Sequence, residues 1–196
     1  MEKRKLGSFV TFIPGINPTR AENQIEMKNI IYYDQAAFES DFNYENKVNE
    51  EKTTGMINKG IALEAGDVVI SNSLQMATIV GEGNAGKVPS LNFTKVEFRS
   101  NALDKQYFVY LFNVYSGVKR QKEKGLQGNG AILRIPIKEL TQIVIPVVPI
   151  EQQKKIGSSY NKTLRIKSKL NKYTELMEQF AYSVLEENLK EKRQDE

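Results

Sequence analysis

Hydrophobic and polar positions follow two different rhythms along this chain, and the change comes near Pro149. Before it, short apolar runs alternate with polar residues and are punctuated by Gly, Pro, Asn and Asp, the pattern of strands and turns. Residues 8–13 predict a strand closed by Pro14-Gly15, and residues 30–33 a second. Residues 38–60 are polar and poor in strand formers, which predicts a long surface loop. Residues 67–72 and 76–81 are rich in β-branched residues and are joined by a short polar link, so they predict a hairpin. Residues 94–99 alternate and predict a further strand. Asp104 is placed to cap a helix carrying Phe108, Leu111, Phe112, Tyr115 and Val118 at i, i+3, i+4, i+7 and i+10, with Gly125 as its stop. Residues 131–135 and 142–147 predict two strands around a turn at residues 136–140. Strands and one helix are mixed without a strand–helix–strand repeat, which makes the fold class α+β.

Beyond Pro149 there is no proline, and only Gly157 interrupts a strongly helical composition. Ile156, Thr163, Leu170, Met177 and Val184 recur every seven residues. Ile166, Tyr173 and Phe180 recur three positions further along. This is an a/d heptad seam, weakened at its start by Thr163 and Ser159. A helix from 151 to about 190 is on the order of 60 Å long. That is too long to bury its stripe on one domain, so it requires another helix. The chain is thus expected to divide into a globular mixed domain at 1–149 and a single long coiled-coil helix at 150–196. Charge sets the expected direction of pairing. Residues 151–173 carry seven cations against Glu151, and residues 174–196 carry three against seven acidic residues. Two parallel copies would lay like charges together, whereas two antiparallel copies pair opposite halves. The expected homodimer interface is Ile156, Ile166, Leu170, Tyr173, Met177, Phe180 and Val184.

Composition narrows the chemistry. There is no cysteine, which excludes disulfides and thiolate catalysis, and no histidine, which removes the commonest general base and zinc ligand. No catalytic residue, metal site or cofactor is expected. No apolar run approaches the ~20 residues that span a bilayer. The apolar stretch at residues 9–13 is too short for a signal peptide and runs into Pro14-Gly15, so a cytoplasmic protein is expected. A net charge of +4 is compatible with a polyanionic partner, but its distribution says more.

Gly81-Glu-Gly-Asn-Ala-Gly86-Lys87 satisfies GxGxxG and approaches a phosphate-binding loop. Both readings need a helix next, and Val88-Pro89-Ser90 follows instead, so a glycine-rich turn between strands is expected. Paired carboxylates such as Glu50-Glu51 and Glu186-Glu187 stand on polar stretches that frame no acid and base, and no Asp/Asn-Pro-Pro-Tyr/Phe methyltransferase motif occurs. The run from Lys119 to Gly130 is different. Lys119, Arg120, Lys122 and Lys124 are suited to neutralising phosphates, while Gln127 and Asn129 in the following loop can pair with adenine edges. Asn72, Ser73 and Gln75, at the tip of the expected hairpin, offer similar chemistry. The bland reading is a solvated helix end and two ordinary turns.

The order of segments resembles the specificity subunits of type I restriction-modification systems. The resemblance rests on Leu6-Gly-Ser-Phe-Val10 with Pro14-Gly-Ile-Asn-Pro-Thr19, on Gly66-Asp-Val-Val-Ile-Ser71, and on Tyr107-Phe-Val-Tyr-Leu111. Its most specific part is Ile145-Pro-Val-Val-Pro149-Ile-Glu-Gln-Gln153-Lys-Lys-Ile156, which is similar to the family's IPxPPLxEQxxI junction between recognition domain and conserved helix. Val148 stands where proline is common. The resemblance implies a target-recognition domain for double-stranded DNA, with catalysis left to partner methyltransferase and restriction subunits. The usual family member carries two recognition domains and two antiparallel helices, and this chain carries one of each. The implied assembly is a homodimer reading a bipartite site, with methyltransferase subunits on its helices; the alternative is a truncated or engineered half that no longer assembles. The competing expectations are a standalone DNA-binding regulator without methyltransferase partners and a coiled-coil protein that recognises another protein.

Overall fold

The structure is a computed structural model that describes residues 2–17, 30–45, 61–128 and 134–191. Residues 46–60 of the expected loop, 131–133 of an expected strand, and Asn129 lie outside the described residues. Met1–Asn161 form one compact unit and Lys162–Glu196 a second.

The first unit is organised on a four-stranded antiparallel sheet in the order β2-β7-β4-β5, with β2 Val10–Pro14, β4 Val68–Ser71, β5 Met76–Ile79 and β7 Phe93–Phe98. Every residue of β4 is buried. Successive side chains point to opposite faces, so Val68 and Ile70 enter the larger core and Val69 a smaller one on the other side. A sheet covered on both faces reads as a continuous apolar run, which is why Val-Val-Ile carries no alternation. The expected hairpin is present, with Val68 opposite Ile79 and Ser71 opposite Met76.

Two short pairings flank this sheet. β3 Tyr32–Tyr33 pairs parallel with β6 Val88–Pro89, and β1 Glu2–Lys5 pairs antiparallel with β8 Val144–Val147. The sequence of β1, Glu-Lys-Arg-Lys, is exposed throughout and offers no hydrophobic rhythm from which a strand is predicted. The start of the expected loop is also helical: α1 spans Gln35–Phe42, capped by Asp34, whose side chain accepts from the Ala37 amide at 2.9 Å. Two of its four buried residues, Ser40 and Asp41, are polar, which hid its inner face. Phe38 stacks on Phe42 and Phe93 in the smaller core.

Asp41 explains the glycine-rich segment. Its carboxylate accepts from the Tyr33 hydroxyl at 2.8 Å, the Asn84 amide at 2.8 Å and the Gly81 backbone N–H at 3.0 Å. Gly81 to Gly86 form a short 3-10 turn at Glu82–Asn84 followed by β6, so the segment is a turn between strands that fastens α1. Burial holds the Asp41 carboxyl above its usual range.

The helix expected from Asp104 to Gly125 is two helices, α2 Lys105–Asn113 and α3 Ser116–Gly125. Asp104 caps the first as expected, accepting from the Tyr107 amide at 2.9 Å. The break follows Asn113, whose side chain pairs with both backbone groups of Ala77 on edge strand β5, at 2.7 and 2.9 Å. Val118 beyond the break and Phe108, Leu111 and Phe112 before it enter one core, so the apolar periodicity passes across the break unchanged. The expected turn at 136–140 is a short helix, α4 Ile137–Gln142, led in by Pro136.

The last helix, α5, spans Ile150–Glu191 without interruption. Its first turns belong to the first unit. Gln153 is 1% exposed, accepts from the Asp104 amide and donates to the Ala102 and Val148 carbonyls at 2.8–3.1 Å. A Cβ at Gly157 would stand 2.5 Å from the Tyr107 nitrogen, so α5 lies against the backbone of α2 at a distance only glycine permits. Ile156 packs against the larger core, together with Tyr160. Ile156, which the heptad places on the pairing seam, is thus partly buried within the domain. No helix among the described residues is long and apolar enough to cross a membrane.

Two stability outcomes follow from these contacts. Gly157→Ala raises intrinsic helix propensity by about 1 kcal/mol, yet it is expected to lower Tm by several degrees in calorimetry, because overpacking costs on the order of 2 kcal/mol. Asp41→Ala strands three donors and is expected to cost roughly 3 kcal/mol in denaturant unfolding. Asp41→Asn, which keeps an acceptor for Gly81 and Asn84 and lets the Tyr33 hydroxyl turn to accept, is expected to cost less than half as much.

Candidate nucleic-acid interface

The polar residues singled out by the sequence occupy the β4–β5 tip, helix α3 and the segment after it. On α3, successive residues are 100° apart, and Val118 and Lys122 turn into the domain. Gln121 faces β8, where its amide donates to the Val144 carbonyl and accepts from the Val144 N–H, both at 2.8 Å. Lys119, Arg120, Glu123 and Lys124 are left on the exposed face, three cations against one anion.

Lys122 departs from the expectation of a phosphate contact. It is 5% exposed, and its ammonium donates to the Phe112 carbonyl at 2.6 Å and the Gln75 carbonyl at 2.8 Å, 4.2 Å above the Phe112 ring. Burial pulls its pKa down to about 8, and the Lys119 charge acts in the same direction. The side chain joins α3 to the hairpin tip and is spent on that contact. Nothing in charge patterning separates it from its neighbours; the separating feature is its i+4 spacing from the buried Val118.

The tip itself is braced. Ser71 Oγ lies 3.2 Å from Ser73 Oγ and accepts from the Leu74 amide at 3.3 Å. Gln75 adopts a left-handed backbone, φ 53°, and its carbonyl meets Lys122. The Asn72 side chain donates to the Leu91 carbonyl at 3.2 Å and accepts from Thr94 Oγ1 at 2.9 Å, so its amide shapes the loop. Ser73 is exposed and Gln75 half-exposed.

The structure brings the segment after α3 to the same place. Gln127 and Arg134 exchange two backbone hydrogen bonds of 2.9 Å, and the Arg134 guanidinium donates to Asn92 Oδ1 at 2.9 Å. The Asn92 backbone carbonyl in turn accepts from the Asn72 backbone N–H at 2.8 Å. Gln127, Arg134, Asn92 and the 71–75 tip therefore form one connected polar edge, and Leu74 and Leu91 stand half-exposed along it. Arg134 and Asn92 are absent from the sequence-based set. The lone cation in Ile132-Leu-Arg-Ile135 is the feature that marks the first, and no sequence feature marks the second.

Among the described residues no group of three or more carboxylates could hold a metal ion. The buried titratable groups have structural bonds: Tyr33 donates to Asp41, and Tyr107, raised by burial, donates to the Pro146 carbonyl at 3.1 Å. What the edge offers is hydrogen-bonding capacity and positive charge on a fixed frame.

No protein-family model and no curated protein matches the sequence. Solved structures do match in fold. An S subunit of a type I restriction-modification system from M. genitalium aligns at TM-score 0.50 and 12% identity, over 81% of this chain and 37% of that one. The HsdS subunit from Thermoanaerobacter tengcongensis aligns at 0.51 and 17%, over 88% and 39%. A chain from work on complex assembly and conformational transition of the type I R-M system aligns at 0.56 and 16%, over 90% and 42%. The polar edge and the long helix thus stand on the fold of a type I restriction-modification S subunit, of which this chain spans about two-fifths.

Proposed function

We propose that this chain is a DNA-sequence specificity subunit of a type I restriction-modification system, acting as a half-subunit that dimerises to read a bipartite site. The observation that carries the proposal is the match of one globular α+β unit with one long helix to about two-fifths of solved S subunits. In this reading residues 1–149 recognise double-stranded DNA, and the helix from 150 onward assembles the complex. Methyltransferase and restriction subunits supply the chemistry, and this chain supplies address and geometry without a cofactor.

Phosphate contacts fix register and base contacts select sequence. Lys119, Arg120 and Lys124 suit the first role, since they are exposed on one face of α3. Gln127, Ser73 and Gln75 suit the second, with Arg134 as a further donor of the kind that pairs with guanine. Asn129 would extend this set. Asn72 and Lys122 act beneath it by holding the tip in shape.

Binding of duplex should weaken steeply with salt, with a log–log slope of about −0.9 per neutralised phosphate. Replacing Lys119, Arg120 and Lys124 together by glutamine is expected to flatten that slope by about 2 to 3 in fluorescence anisotropy. Lys122→Met is expected to leave the slope unchanged while lowering thermal stability; a slope change as large as that of a surface lysine would return Lys122 to the phosphate contacts.

Assembly is tested by sedimentation of the pure chain, alone and with a type I methyltransferase subunit from the same source. The expected result is a dimer that takes up methyltransferase. Leu170→Glu with Met177→Glu is expected to give monomers. A dimer that ignores the methyltransferase would instead support a standalone DNA-binding regulator.

A further inference from the structure

The six large apolar residues of the α5 seam are Ile166, Leu170, Tyr173, Met177, Phe180 and Val184, each between 38% and 65% exposed. In an antiparallel coiled coil an a residue of one helix faces a d residue of the other. Ile166 and Val184 lie equally far on either side of Glu175, as do Leu170 and Phe180, and Tyr173 and Met177. Each of these pairs joins an a to a d position. The next seam positions outward, Thr163 and Glu187, are also symmetric about Glu175, and both are polar.

Given the antiparallel direction expected of the dimeric half-subunit, we infer that its two copies of α5 meet in a single register, with the twofold axis at Glu175. This rests on the dimeric half-subunit reading and specifies its interface. Ile166 of each copy meets Val184 of the other, Leu170 meets Phe180, and Tyr173 meets Met177, while Thr163 closes against Glu187 at both ends. Sliding by one heptad sets Thr163 against Phe180 in one direction and Leu170 against Glu187 in the other, so each alternative buries a polar or charged group against a large apolar one. The register also accounts for Leu176, a 54% exposed residue at a g position. The g positions of antiparallel helices face each other, and Leu176 lies one residue from the axis, where it meets its own copy. Charge agrees: the basic half of each helix, up to Tyr173, runs beside the acidic half of the other.

The absence of cysteine from the sequence makes the test direct. Leu170→Cys/Phe180→Cys and, separately, Ile166→Cys/Val184→Cys are oxidised under mild conditions after sedimentation in reductant, and the cross-linked peptides are mapped. Both double variants are expected to form disulfide dimers joining 170 to 180 and 166 to 184 between chains. Leu170→Cys alone is expected to stay uncrosslinked, because its two copies would lie roughly 15 Å apart along the axis, beyond the ~7 Å Cα separation a disulfide bridges. Efficient cross-linking of Leu170→Cys alone would show parallel pairing and overturn the inference. A protein that sediments as a dimer but links neither pair would overturn the register and leave dimerisation standing. A monomer at the concentrations of the wild-type test would overturn dimerisation as well, whereas methyltransferase uptake is scored separately.

Discussion

The first turns of α5 can be placed only because Gly157 lets two backbones touch. Any Cβ at that position would overlap Tyr107 and Gln106 at the start of α2. Gln153, one turn earlier, then fills the gap between the helices and satisfies one amide and two carbonyls that the contact takes out of water. A buried polar group left without a partner costs on the order of 1–3 kcal/mol, so the close approach and the glutamine depend on each other. α2 is in turn the hub of the larger core, contributing Tyr107, Phe108, Val109, Leu111 and Phe112. What fixes the first turns of α5 on α2 therefore fixes those turns to the frame that carries the sheet.

The same device recurs through the domain. Asn113 completes the β5 edge at Ala77, Gln121 completes β8 at Val144, and Asn84 donates to the Ala37 carbonyl of α1. In each case a side-chain amide stands where a further strand or turn would otherwise supply the backbone partner. Such contacts have defined geometry, whereas apolar contacts tolerate sliding. The loops at 71–75 and 91–92 thus rest on elements whose positions are set by hydrogen bonds. Lys122 belongs to this class despite its charge, since two carbonyls and an aromatic face replace its water.

These are also the features that sequence reading resolves least. The hairpin, the capped helix after Asp104, the turn at the glycine-rich segment and the long last helix were legible, because each follows from local rhythm or from a residue with one strong preference. The missed elements lack such a rhythm: β1 is all charged, α1 turns two polar residues inward, and the α2–α3 break hides behind a periodicity that both helices share with one core. For the polar edge, the loops were found from composition, but their joining was not. It depends on Arg134 reaching Asn92, a contact across 42 positions that no local pattern encodes. Lys122 is hidden for the converse reason: its side chain is of a surface type, and only its place on the helix turns it inward.

Gln153 and Ile156 show how one stretch of sequence can serve two ends. The junction that resembles the specificity-subunit pattern supplies the residues that seat α5 on α2, and the heptad begins within it. At 100° per residue, Gln153, Ile156, Gly157 and Tyr160 share one face of the helix. The domain therefore consumes the first heptad position, Ile156, and leaves the later ones exposed. Six large apolar residues on one stripe, flanked by polar seam positions at equal distances, are more than scattered surface hydrophobics and mark a surface built to be covered. The spacing of that stripe is symmetric about Glu175: its large apolar positions, and the polar Thr163 and Glu187 beyond them, lie at equal distances on either side.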